Sequence, residues 1–225
     1  MNTRELVNYL QGLAENNNRA WFVMNKPSYD ILRPEFIALV ADVIAETAKL
    51  DPKVRGQDAK KALFRINRDI RFTKDKSPYK THFSAVIAPG GKKDPGSHYY
   101  LHIDHEGKLL VAGGCYLPPP DVLAKIRKSI ATEPAKFSRL LKHKTLWAEY
   151  KKFADEGKLA RPPNGYAADT PHIEYIKQKS FIVWTEVPVK GLDAAKLKAR
   201  IAAGFKLSYP LVLWLREVVK GKNCC

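Results

Sequence analysis

The sequence predicts an α+β fold, in which a mainly antiparallel sheet of about five strands is covered by N-terminal and C-terminal helices. Apolar residues recur at helical spacing at both ends of the chain, and apolar and polar residues alternate in its middle. Helices followed by strands and then by helices are typical of an α+β domain. The length of 225 residues suits one domain, and we expect residues 1–225 to form it.

Residues 1–55 are predicted to form a helical layer. Three leucines share one face of a first helix, which asparagines 16–18 end because asparagine tolerates turns. These leucines are Leu6, Leu10 and Leu13. A second helical stretch carries Trp21 and Phe22, and a long helix is predicted from about Pro34, since a first turn tolerates proline.

Residues 60–118 are predicted to supply most of the sheet. From residue 64 to residue 72, apolar side chains alternate with polar ones, which predicts a first strand with a charged face. The polar side chains are Arg65, Asn67, Asp69 and Arg71. Further strands are expected at residues 82–88, 99–104, 109–116 and 181–187.

A helical insert is predicted over residues 119–160, before the last strand. It follows three consecutive prolines and carries Asp121 in its first turn. Residues 180–220 are then predicted to hold the last strand and the C-terminal helices, with Asp193 as an N-cap.

The chain is strongly basic, with a formal net charge of +16 at pH 7. Residues 1–55 carry 7 basic and 7 acidic side chains, whereas residues 56–100 carry 10 basic and 4 acidic ones. Such a charge favours anionic partners, including nucleic acid and acidic membrane surfaces, without distinguishing between them.

Cysteine content and hydropathy predict a cytoplasmic protein without a transmembrane segment. Three cysteines do not supply a disulfide framework, and the N-terminus lacks the apolar stretch of a signal peptide. The longest apolar run, at residues 211–215, is far shorter than the roughly 20 residues that span a bilayer. The terminal Cys224-Cys225 resembles a double-prenylation ending, but a reduced tail is the simpler interpretation.

The segment 64–83, FRINRDIRFTKDKSPYKTHF, concentrates the candidate chemistry. Its three arginines and three lysines are the candidate anion-binding residues. They are Arg65, Arg68, Arg71, Lys74, Lys76 and Lys80. Arginine presents paired donors that match two oxygens of a phosphate or carboxylate, and lysine adds a mobile point charge.

Three further residues of this segment are candidates for acid–base chemistry. Asp69 would orient an arginine or act as a general base, and Tyr79 and His82 would donate protons. An ion-pair network that closes a sheet edge would explain the same charges without a ligand, and both interpretations stay open. Whether the protein is an enzyme is left open as well.

No cofactor and no metal is expected. The chain lacks a Walker loop, a dinucleotide fingerprint and a nucleophile elbow. His98, His102 and Asp104 share a strand face, but no cysteine pair or helical His-Glu-x-x-His motif accompanies them, which favours surface histidines. Cys115 is expected to be a small buried residue.

Four motifs are spread along nearly the whole chain. They are NNNRAWF at 16–22 with Asn25-Lys26, the segment 65–83, AGGCYLP at 112–118, and NGY at 164–166 with Asp169, Pro171 and Lys177. Together they resemble the domain of unknown function 2461 family of conserved hypothetical proteins. The resemblance implies one full-length domain and no particular activity. The family usually has other residues at Ala20, Asn164 and Thr170, which makes these positions poor candidates for indispensable chemistry.

Membership of these motifs adds four candidate ligand-binding residues. They are Lys26, Tyr116, Tyr166 and Lys177. The glycines at 113 and 114 would let the backbone beside Tyr116 approach a ligand, although glycines inside a strand more often mark a bulge.

The mixed composition of the segment 64–83 favours a pocket that binds an anionic small molecule, phosphorylated or carboxylated. The alternative is a nucleic-acid-binding module on the same basic face, in which exposed aromatic residues stack on bases. The aromatic candidates are Phe72, Tyr79, Tyr99 and Tyr100. A third hypothesis, an adaptor for proteins or membrane surfaces, rests on charge and the tail cysteines alone. The sequence does not address the oligomeric state.

Overall fold

The structure, a computed structural model, describes residues 1–150, 152–154 and 157–220. The terminal Cys224-Cys225 lies outside the described residues, as does part of the predicted helical insert.

The described residues form an α+β fold with one antiparallel sheet and helices at both ends, as the sequence predicts. The sheet has the strand order β1-β2-β3-β4. Its strands are β1 (His82–Ile87), β2 (His98–Asp104), β3 (Lys108–Cys115) and β4 (Phe181–Pro188). Each follows its predecessor in both sequence and space, which is the simplest antiparallel arrangement.

The helices fall into the three predicted regions. The N-terminal ones are α1 (Thr3–Glu15), α2 (Arg19–Met24), α3 (Lys26–Leu50) and α4 (Ala59–Ala62). The insert holds α5 (Pro120–Thr132), α6 (Pro134–Leu141), α7 (Lys144–Glu149) and α8 (Ile173–Ile176), and α9 (Ala194–Lys220) closes the fold. Among the described residues, no helix combines the length and the apolar character that crossing a bilayer requires.

The long helix of the N-terminal layer begins earlier than the sequence predicts. It starts at Lys26, and Pro34 lies inside it. Pro27 takes the place near the helix start that Pro34 was predicted to occupy, and the ring of Pro34 is accommodated two turns further on.

The predicted first strand, residues 64–72, is not a strand. Two isolated antiparallel bridges replace it, one joining Leu63 to Ala85 and the other joining Asn67 to Tyr79. Between them, the carboxylates of Asp69 and Asp75 accept hydrogen bonds from backbone N–H groups two residues further on. Short polar side chains that bond their own backbone compete with a strand ladder, so the alternating pattern ends in a loop. We call residues 64–81 the basic loop.

Contacts divide the chain into two compact units, and β2, β3 and β4 each contribute residues to both. The first unit comprises residues 1–92, 100–111 and 186–203. Residues from α1 and α3 build its core, and the predicted leucine face of α1 is confirmed as fully buried. The core residues include Leu6, Leu10, Leu13, Phe36, Val40 and Val43.

The second unit comprises residues 93–99, 112–185 and 204–225, and its described part has a core of its own. Buried side chains from the insert, β4 and α9 form that core. They include Ile126, Ile130, Phe137, Phe153, Phe181 and Leu211. Gly114 adopts a φ of +136°, and a Cβ atom there would lie 2.2 Å from the carbonyl oxygen of Phe181, so the strands admit only glycine. That residues 1–225 act as a single domain stays a prediction.

Candidate anion-binding site

The basic loop is anchored at its base by one asparagine from the turn between α1 and α2. The Asn17 side chain donates its Nδ2 to the carbonyl oxygen of Tyr79 at 3.0 Å and accepts the Tyr79 N–H at 3.0 Å. The ring of Phe22 stacks on that of Tyr79, with centroids 4.2 Å apart and an interplanar angle of 15°. Tyr79 is buried by this packing, so its environment favours a structural role over the predicted role of proton donor.

Two arginines of the basic loop are already paired with carboxylates. Arg71 donates Nε to Asp69 Oδ1 at 2.9 Å and Nη2 to Asp69 Oδ2 at 2.7 Å. These hydrogen bonds lower the pKa of Asp69. The Asp69 carboxylate therefore positions Arg71, which is one of the two roles that the sequence predicts for it.

The second pair joins Arg68 to Asp75 across the loop. Asp75 also accepts the Ser77 N–H at 2.9 Å, and Arg68 Nη1 donates to the Ser77 carbonyl oxygen at 3.2 Å. Hydrogen bonds from Ser77 and then from Arg68 hold the pKa of Asp75 far below its usual range. Both carboxylates of the basic loop are thus ionised and occupied by arginines.

The remaining cations of the loop differ in how they are held. Lys76 donates Nζ to the carbonyl oxygen of Ile70 at 3.0 Å, which closes the loop tip. Lys74 is exposed and has no ion pair among the residues that the structure describes. Arg65 is exposed as well, and its charge acts on both Asp69 and Lys80.

Two lysines converge on the ring of Phe64. Lys80 Nζ donates to the carbonyl oxygen of Arg65 at 2.7 Å, and Lys92 Nζ donates to that of Leu63 at 2.6 Å. Each ammonium lies 5.6 Å from the centroid of the Phe64 ring, a distance typical of cation–π contacts. We call Phe64, Arg65, Lys80 and Lys92 the Phe64 cluster. Sequence reasoning missed Lys92, because no pattern distinguishes it from Lys93.

The electrostatic surroundings of Lys80 are cationic. Its pKa is lowered by burial first, and then by the positive charges of Arg65, Lys92 and Arg68. Both aspartates of the basic loop are instead paired with Arg68 and Arg71. The Phe64 cluster therefore brings positive charges together, and this makes it the candidate anion site.

A pair of histidines lies beside the cluster on the sheet. The rings of His82 and His102 are 5.2 Å apart, and the Tyr100 hydroxyl lies 3.2 Å from His102 Nδ1. Burial, followed by the charges of His102 and Lys80, lowers the pKa of His82 to about 4. Burial also lowers the pKa of His102. His82 is therefore neutral near pH 7 and does not carry the extra proton of an acid.

The four ligand-binding candidates from the other motifs differ in the contacts that each makes within its own unit. In the first unit, Lys26 pairs with Asp30. In the second, Tyr116 is half-exposed at the end of β3, Tyr166 packs against the core, and Lys177 pairs with Glu174 at 2.9 Å.

The described residues contain no group of three or more histidine, cysteine, aspartate or glutamate side chains that is placed to hold a metal ion. Cys115 is buried, as predicted, and burial raises the pKa of its thiol to about 12, which disfavours the nucleophilic thiolate.

Comparison with known proteins identifies the family and no closer relative. Neither the curated proteins nor the solved structures contain a match to this chain. A family model described as "Conserved hypothetical protein (DUF2461)" matches residues 5–214, which include the helical layer, the basic loop, the sheet and most of α9. The match covers nearly the whole chain and confirms the resemblance seen in the four motifs. The protein therefore belongs to the DUF2461 family.

Proposed function

We propose that the protein binds a small phosphorylated or carboxylated molecule at the Phe64 cluster. The observation that carries the proposal is the convergence of the Lys80 and Lys92 ammonium groups on the Phe64 ring, each 5.6 Å from its centroid. Burial, and then the charges of Arg65, Lys92 and Arg68, lower the pKa of Lys80. An anion relieves this repulsion, so bound ligand and cationic cluster stabilise each other. A location in the cytoplasm is part of the same proposal.

We infer different tasks for the members of the cluster. Each lysine ammonium has three N–H donors, and one of them holds the backbone of residues 63–65. These backbone contacts position the ammonium groups, and their other donors face a ligand. Arg65 supplies a planar pair of donors at an exposed position.

Neutral donors border the cluster. The Tyr100 ring contacts the edge of Phe64 at a centroid distance of 6.2 Å, and its hydroxyl lies next to His102. A ligand that carries hydroxyl or carbonyl groups beside its anionic group would find partners there. The proposal is for binding, and it names no reaction.

The test is a calorimetric titration with pyrophosphate, citrate and nucleotides at low and at high salt. For a ligand that binds the native protein, Lys92→Met should weaken binding at least tenfold, because it removes one of two converging ammonium groups. Lys93→Met is the matched control, since it removes the neighbouring exposed charge outside the cluster, and it should change the affinity less than twofold. Equal losses in the two variants, or no binding of any anion to the native protein, would overturn the proposal.

One observation favours nucleic acid as the second candidate. Phe72 is 92% exposed at the tip of the basic loop, and the guanidinium of Arg71 lies 5.5 Å from its ring centroid. An exposed ring beside cations suits stacking on a base. The other predicted stacking residues fit less well, because Tyr79 and Tyr99 are buried and Tyr100 is partly buried.

Fluorescence anisotropy with a labelled oligothymidylate across a salt series distinguishes this candidate. Phe72→Ala should weaken binding about tenfold if the ring stacks on a base, and affinity should fall steeply with salt. If Phe72→Ala leaves the affinity unchanged, no base stacks on Phe72, and the binding is due to net charge alone.

A further inference from the structure

The second unit contains a pocket of about 410 Å³ that the anion-binding proposal does not use. Aromatic and polar side chains from α7, from the described residues that follow it, and from α8 line this pocket. They include Trp147, Phe153, Lys158, Glu174, Tyr175 and Gln178. The volume lies within the range of small-molecule sites, and a mixture of aromatic walls with few polar groups is their usual composition.

The aromatic walls are held in place by one another and by the backbone. Trp147 and Phe153 pack edge to face with centroids 5.1 Å apart, and Phe153 and Tyr175 do so at 5.9 Å. Trp147 also donates Nε1 to the carbonyl oxygen of Leu140 at 3.0 Å, which fixes the indole. Phe153 is buried, whereas Trp147 and Tyr175 are partly exposed, so these two rings present an apolar surface to a planar ligand.

The charged residues at the pocket are organised around one carboxylate. Glu174 accepts hydrogen bonds from Lys158 and from Lys177, each at 2.9 Å. Lys152 and Lys158 both line the pocket. Because Glu174 is already occupied, the donors that Lys158 retains favour an anionic group on a ligand.

Gln178 adds a neutral partner in the pocket wall. Its side chain is 6% exposed, and its Oε1 has no hydrogen-bond partner among the described residues. A buried amide oxygen without a donor costs stability, and an N–H group on a ligand would supply the missing donor.

We propose that this pocket binds a small planar heteroaromatic acid, with its ring against Trp147 and Tyr175. Its carboxylate then lies at Lys158, and its ring N–H donates to Gln178. Lys177, which the sequence singles out, orients Glu174 and takes no part in the Phe64 cluster.

Calorimetric titration with indole-3-acetate tests the proposal on the full chain. Two probes isolate its two polar contacts: indole-3-acetamide lacks the negative charge, and 1-methylindole-3-acetate lacks the ring N–H. We expect the amide to bind about fivefold more weakly than the acid, and the methylated acid about tenfold more weakly.

Three variants test whether the probes bind in this pocket. Lys158→Met should erase the preference for the acid over the amide, while Lys128→Met, an exposed lysine of α5 outside the pocket lining, should preserve it. Leu141→Trp fills the pocket from a partly buried lining position and should abolish binding of all three probes. The proposal would be overturned by tight binding to the Leu141→Trp variant, by equal effects of the two lysine variants, or by no heat of binding at millimolar probe.

Discussion

At the scale of single residues, the structure divides the cations of the basic loop into two groups. Arg68 and Arg71 are paired with aspartates within the loop, whereas Lys80 and Lys92 converge on Phe64. The charge of Arg65 acts on Lys80. The ion-pair interpretation of the sequence therefore describes one end of the loop, and the anion-binding proposal concerns the other. Backbone turns at Asp69 and Asp75 determine which arginines are paired. A count of the charges in the sequence does not predict these turns.

The pair of histidines leads to a prediction about pH. The pKa of His82 is about 4 in the folded protein, against about 6.5 in an unfolded chain. Between these values the unfolded chain binds the extra proton, so stability is present above pH 6.5 and is lost as the pH falls towards 4. His82 contributes no more than about 3 kcal/mol to this loss. Burial is the main cause of its lowered pKa. Repulsion from His102, Lys80 and His105 adds to the shift, and attraction to Asp104 opposes it.

Urea unfolding at pH 7 and at pH 4.5 measures this effect. The native protein should lose more stability between the two pH values than a His82→Gln variant does, because glutamine does not titrate. Identical losses in both proteins would show that His82 is not the group responsible.

At the scale of elements, the turn between α1 and α2 governs the basic loop. Asn17 satisfies both backbone groups of Tyr79, a residue that is 7% exposed. The loop therefore depends on a side chain 62 positions away in sequence as much as on its own turns.

Replacing Asn17 with alanine should accordingly loosen the base of the loop. Two buried backbone groups lose their partners, at a cost of about 1–3 kcal/mol in the free energy of unfolding. Asn8→Ala, at an exposed position of α1, is the matched control and should be neutral. Limited trypsin digestion, which cuts after the arginines and lysines of the loop, should also proceed faster in Asn17→Ala alone.

At the scale of the whole molecule, the net charge of +16 acts on stability as well as on binding. Like charges repel one another in the folded state, and dissolved ions screen that repulsion. Raising sodium chloride from 10 to 300 mM shortens the Debye length from about 30 Å to about 6 Å, and it should therefore raise the melting temperature.

Sulfate distinguishes screening from binding. At equal ionic strength, sulfate should raise the melting temperature of the native protein more than chloride does, through surface exclusion as well as binding. Lys92→Met should reduce the difference, because it removes only the part that is due to binding. A melting temperature that falls with sodium chloride would mean that ion pairs outweigh the repulsion.

Much of the fold follows from patterns that are local in sequence. The leucine face of α1 and the cap at Asp193, which accepts the Lys196 N–H at 2.8 Å, were both predicted from residues within one or two turns. The alternation from residue 64 to 72 predicts which side chains share a face, but it does not predict which residues they contact. Leu63 forms a bridge with Ala85, and Lys92 donates a hydrogen bond to the carbonyl oxygen of Leu63. Both contacts join residues more than 20 positions apart, so they depend on the tertiary fold. The sequence therefore predicted the residue types of the candidate site and named Arg65 and Lys80, but it did not predict that Lys92 lies beside them.

The closed base of the basic loop makes it a natural place to display a foreign peptide. The Asn67–Tyr79 bridge and Asn17 hold its two ends together, and the tip between them is exposed. A sequence inserted between residues 72 and 75 would begin and end at fixed points, so it would be presented as a constrained loop. An epitope grafted there would lose less conformational freedom on antibody binding than the same peptide fused to a chain terminus.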